Sequence, residues 1–260
     1  MPAADLIDDL ASRGQYHFTT DEMAARVGSS VIAARAALRR LQKKGVVATP
    51  HRGFHVIVPP EYRRLGCLPA DQFVPQLMEH LGLDYYAALL TAGRYHGAAH
   101  QQPQVFQVIV AKNRPPIACG DVRVSFVARR NVAEVPTARF NTPRGHLAVS
   151  TAEATAFDLA GYPQHAGGLD NVATVLSELA EKLDPERLAS LAPLSPIPWA
   201  QRLGYLLERV GAGDKTEPLA DYVAGVVNET TALVPSAPAE GAPHDGRWHL
   251  LANVPVEPDL

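Results

Sequence analysis

Cysteine is scarce in this chain: Cys67 and Cys119 are its two, and they do not form a CxxC pair. That count excludes a disulfide framework and a cysteine-based zinc module, and both residues read as buried thiols. Long apolar runs are missing as well, since no stretch approaches the roughly 18 residues a membrane span requires. The opening Met1-Pro-Ala-Ala-Asp lacks the basic-then-apolar order of a signal peptide, so a cytoplasmic location is expected. No internal repeat, metal-ligand cluster or catalytic triad stands out. Gly167-Gly168 lacks the Lys and Ser/Thr of a phosphate-binding loop and reads as a turn before a helix that Asp170 helps to start.

What is present suffices for two domains: 260 residues, 47% of them hydrophobic, give each its own core. The net charge of −3 is unevenly spread. Residues 1–65 hold 10 basic and 6 acidic side chains and the remainder 14 and 21, a head of +4 on a body of −7. A basic head on an acidic body suits a DNA-contacting module joined to a domain that does not touch DNA.

The head reads as three helices and a hairpin. Leu6, Ile7 and Leu10 recur at helical spacing in a first helix, residues 3–13, that Gly14 ends. Thr19 and Glu22 have the spacing of a capping box, which predicts a second helix over 21–27, stopped by Gly28. Ser29 or Ser30 caps a third, running to about Lys44 with Gly45 at its end. Its buried face is expected to be Val31, Ala34, Leu38 and Leu41, turning Ala33, Ala36, Arg39, Arg40 and Lys43 outward. Small residues followed by cations suit a helix seated in a major groove. Two β-branched runs flank Pro50-His-Arg-Gly53, so the wing carries Arg52 at its tip. The predicted DNA contacts are therefore Ser29, Ser30, Ala33, Ala36, Arg39, Arg40, Lys43 and Arg52.

Pro59-Pro60 ends the wing, and residues 61–70 read as a linker or short bridging segment, placing a winged helix-turn-helix at 1–65 and a second domain at 71–260. In the second, 72–81 and 85–95 read as helices, 105–111, 122–128 and 147–150 as strands, and 151–160, 169–183, 185–191, 200–210 and 219–227 as helices. The fold class expected is mixed α/β and predominantly helical, the larger domain being a small sheet backed by several helices.

Four blocks of this second part, Tyr85–Val108, Val149–Leu159, Gly167–Asp170 and Gln201–Glu208, occur in the order found in the AbiEi family. The resemblance covers nearly the whole chain. These proteins are antitoxins of type IV toxin–antitoxin systems, with an N-terminal winged helix and a C-terminal antitoxin domain. The resemblance implies repression of the chain's own operon through inverted repeats in double-stranded promoter DNA. It also implies neutralisation of a nucleotidyltransferase-like AbiEii toxin, with direct contact left open.

Other constellations have plainer accounts. His96 and His100 stand four apart, but no third ligand follows nearby, and capping or packing at a helix end accounts for them. Ser150 with Glu153 resembles a nucleophile beside a carboxylate and equally a helix cap. No catalytic residue, metal ligand or cofactor is assigned. Core packing accounts for Leu203, Leu206 and Leu207, while Arg202, with Gln101 and Gln102, is the candidate antitoxin surface. The alternative to a non-enzymatic antitoxin and repressor is an enzyme that modifies the toxin or a nucleotide, targeted by the winged helix.

Overall fold

The capping box expected at Thr19 and Glu22 is formed in the computed structural model, which describes residues 1–98 and 104–259. Thr19 Oγ1 accepts from Glu22 N at 3.1 Å, and Glu22 Oε2 accepts from Thr19 N at 2.7 Å. Helices α1 (Ala3–Ser12), α2 (Thr20–Val27) and α3 (Val31–Lys43) place Leu6, Ile7, Leu10, Met23, Ala34, Leu38 and Leu41 in one core. At the end of α3, Gly45 N donates to Gln42 O and Val46 N to Leu41 O, with Gly45 at φ +67°. These are the two bonds of a Schellman stop, which needs a left-handed residue there. The hairpin follows. Strands β1 (His17–Thr19), β2 (Val47–His51) and β3 (Phe54–Ile57) form a sheet in the order β1-β3-β2. Strand β1 was not foreseen, because three residues carry no alternation to read.

The chain folds into two compact units, and their division departs from the expected break between residues 65 and 71. The first unit comprises Met1–Tyr86, Gln104–Val132 and Arg139–Ala148. It adds α4 (Val74–Leu81) and most of a sheet built from β4 (Tyr85–Ala87), β5 (Phe106–Val110), β6 (Ile117–Cys119), β7 (Val122–Ala128), β8 (Thr137–Thr142) and β9 (Gly145–Ser150). The strand order is β6-β7-β5-β4-β9-β8, with β5 and β7 parallel from Phe106↔Val124 to Val110↔Ala128. Ala48, Phe54, Val56 and Val58 of the wing share a core with Cys67, Leu68, Phe73, Leu77, Val108 and Val124. Residues 61–70 are thus no linker, since Cys67 and Leu68 are fully buried. The physical reason lies in β3, whose four residues are all buried. A strand covered on both faces needs partners beyond the three helices of the head.

The second unit takes in residues 87–98, 133–138 and 149–259. It holds α5 (Leu89–Tyr95), α6 (Ala152–Gly161), α7 (Leu169–Leu179), α8 (Pro185–Leu191), α9 (Ile197–Arg209) and α10 (Glu217–Val226). A small sheet of β10 (Thr231–Ala232), β12 (Leu250–Leu251) and β11 (His244–Asp245), in that spatial order, lies near its C-terminus. The helix expected over 85–95 opens instead as strand β4, in keeping with two β-favouring tyrosines, and only Leu89–Tyr95 is helical. Leu203, Leu206 and Leu207 are fully buried on α9 as their spacing predicts, and Gly204 leaves the room that the Trp248 ring fills.

Candidate nucleic-acid interface

Helix α3 presents an outward face free of acidic residues. Ile32, Ala36, Arg39 and Lys43 recur at spacings of four, three and four, opposite the buried Ala34, Leu38 and Leu41. Ala33, Arg35 and Arg40 flank this stripe and are exposed as well. Val31 does not join the buried face as expected: it sits in the first turn, beyond the reach of the core, and is 37% exposed. Among the described residues, no carboxylate lies within ion-pair distance of Arg35, Arg39, Arg40, Lys43 or Lys44. Ser30 is the N-cap, its Oγ accepting from Ala33 N at 3.2 Å, and Ser29 Oγ donates to Ser30 O at 3.4 Å. Arg40, Lys43 and Lys44 rim a cleft of about 460 Å³ with Ala3, Ala4, Ala37 and Leu41, between α1 and α3.

The wing is tied to this helix by a partly buried polar chain. Gln42 Nε2 of α3 donates to Thr49 Oγ1 of β2. Thr49 Oγ1 lies 2.8 Å from His55 Nδ1, and His55 Nε2 lies 2.9 Å from Thr20 Oγ1 at the start of α2. The chain is satisfied in one direction when the Thr49 hydroxyl donates to Nδ1 and Nε2–H donates to Thr20, the neutral imidazole. Burial holds His55 neutral by pulling its pKa down to about 4. At the tip, His51 pairs with Phe54 across Arg52 and Gly53, and Gly53 at φ +82° lets the strand turn back while Arg52 stays exposed. The helix face and the cationic tip therefore belong to one hydrogen-bonded frame. Nothing in the sequence spacing announced Gln42, Thr49 and His55, since their partners lie in three different elements.

The candidate antitoxin surface fares differently. Arg202 is 6% exposed, with Nε donating to Leu233 O at 2.9 Å and Nη1 to Ala160 O at 2.6 Å. It clamps the end of α6 to the segment after α10 and, like Gln201 beside it, is buried, so it offers little surface to a partner. It reaches the wall of a cleft of about 530 Å³ that Pro163, Pro196, Trp199 and Pro235 also line. Gln101, Gln102 and His100 lie outside the described residues. At the end of α5, His96 Nε2 donates a hydrogen bond to Ser150 O at 2.7 Å. The cap of α6 is Thr151, accepting from Ala154 N, rather than Ser150, which is buried and lies 2.7 Å from Thr155 Oγ1. Glu153 accepts from Asp184 N at 3.3 Å.

Comparison with solved structures aligns the RV2827C protein from Mycobacterium tuberculosis over 96% of this chain and 90% of that one, at a TM-score of 0.66 and 19% identity. The likeness is one of fold. An antigenic nucleotidyltransferase-like protein from Paracoccidioides brasiliensis aligns over 60% of this chain and 90% of its own, at a TM-score of 0.39 and 10% identity. No match was found among curated proteins. Residues 86–209 match the AbiEi antitoxin C-terminal domain.

Proposed function

We propose that the chain is a non-enzymatic antitoxin and autorepressor of the cytoplasm. In this reading the winged helix binds inverted repeats in the promoter of its own operon, and the C-terminal part, residues 71–260, neutralises a nucleotidyltransferase-like toxin encoded beside it. The observation that carries the DNA half is the acid-free outer face of α3, where Arg39 and Lys43 are exposed, together with the exposed Arg52 at the tip of the wing. A phosphate backbone is the partner such a surface suits, since cations without internal counter-ions gain most from an external polyanion. The toxin half rests on the antitoxin domain over residues 86–209. The test pairs two assays on the full chain: binding to its own promoter, and growth when co-expressed with the neighbouring toxin. The combined replacement of Arg39, Arg40 and Lys43 by Ala is expected to weaken the first and spare the second. Loss of both by a folded variant would mean that toxin neutralisation acts through DNA.

A further inference from the structure

The side chain on α3 that neither packing nor charge explains is Ile32. It is 79% exposed, the most exposed large hydrophobic residue among those described. It contributes nothing to the core, and isoleucine is a weaker helix former than the alanines and basic residues that fill the rest of the helix. It stands in the first turn, one residue after the start of α3, on the stripe that continues through Ala36, Arg39 and Lys43. Its neighbours Ala33 and Ala36 are too short to hold a partner away from it.

Resting on the DNA-binding reading above, we propose that Ile32 reads the 5-methyl group of a thymine in the major groove, making it a specificity-determining residue of the operator contact. The surrounding charge selects the partner. Five cations and no carboxylate between Val31 and Lys44 suit a polyanion. Among the base edges of the major groove, the thymine methyl is the apolar group that a branched aliphatic side chain recognises. The N-terminal part of a recognition helix is also the part that meets base edges, while later residues reach phosphates. Ile32 and the basic residues behind it are ordered accordingly.

The experiment uses the full-length protein and duplexes from the region upstream of its own coding sequence. After footprinting, each thymine of the protected segment is replaced in turn by deoxyuridine, which removes only the methyl group. Wild type is expected to lose about three- to fivefold in affinity at one thymine of each repeat, the worth of one buried methyl group. Ile32→Ala, which stays folded because the side chain is exposed, is expected to bind the thymine and uracil duplexes equally. Salt-dependent operator binding by wild type that is indifferent to every uracil replacement would overturn the assignment and leave the DNA-binding reading standing. So would an Ile32→Ala protein that still discriminates, or one whose sedimentation changes while its discrimination does not, which would place Ile32 between copies of the chain. Absence of any salt-dependent binding to these duplexes would overturn both readings.

Discussion

Thr49 Oγ1 lies 2.8 Å from His55 Nδ1, so the two strands of the wing are joined by side chains as well as by their backbone ladder. Through Gln42 and Thr20 the same imidazole connects the wing to α3 and α2. An ordinary histidine would be half protonated near pH 6.5, whereas burial keeps His55 neutral to about pH 4. Between those values the unfolded chain binds a proton that the folded one refuses. Stability is therefore fully present above about pH 6.5 and is lost as pH falls toward 4, by an amount on the order of 2–3 kcal/mol. Thermal melts of wild type and His55→Asn across this window should show the steeper loss in wild type. Parallel profiles would mean that His55 does not titrate differently on folding.

The outer face of α3 should act through phosphate contacts. Replacing Arg39, Arg40 and Lys43 by Ala together should reduce the slope of log affinity against log salt by about 2–3, with little change in melting temperature. An unaltered slope would remove these residues from the interface.

Arg52 at the wing tip is expected to matter less than the helix face, because one side chain on a hairpin grips one phosphate or one stretch of minor groove. Arg52→Ala should weaken promoter binding by about three- to tenfold and lower the salt slope by about 1. Binding equal to wild type at physiological salt would leave the wing a structural hairpin.

A fragment of residues 1–65 should not behave as a free-standing DNA-binding domain. It would expose Ala48, Phe54, Val56 and Val58, which in the full chain pack against Leu68, Phe73, Leu77, Val108 and Val124. It would also lose Arg144, whose guanidinium lies 3.6 Å above the Tyr16 ring. The expected result is aggregation, or a cooperative transition shifted down by at least about 10 °C, since burying each large aliphatic side chain is worth about 1.5–3 kcal/mol. A monomeric fragment melting like the full chain would show that the shared core is dispensable.

Arg202 should affect antitoxicity only by way of stability. Arg202→Ala leaves the Ala160 and Leu233 carbonyls without their donors and is expected to cost about 2–4 kcal/mol. Growth rescue from the toxin should then fail at elevated temperature and persist at low temperature, in step with the melting curve. Failure at every temperature in a protein that melts normally would return Arg202 to a direct role.

How far the sequence reaches is clearest at particular residues. Local rules were enough for the Thr19–Glu22 box, the Ser30 cap, the Gly45 stop and the Arg52 turn, because each is settled by bonds within a few residues. The same holds for the outward stripe of α3, which follows from its 3.6-residue period, and for most helices of the second unit. The blocks that resemble the AbiEi antitoxins were legible for a different reason, as strings matched in order, and the match over residues 86–209 agrees. Only tertiary structure decided that residues 61–70 are core rather than linker, that Arg202 is enclosed, and that His55 bridges three elements. In each case the deciding partner lies far along the chain: Val108 and Val124 for the wing, Leu233 and Ala160 for Arg202. Periodicity tells which face of a segment is apolar and where it stops, but what covers that face is fixed by long-range packing, which no local pattern encodes.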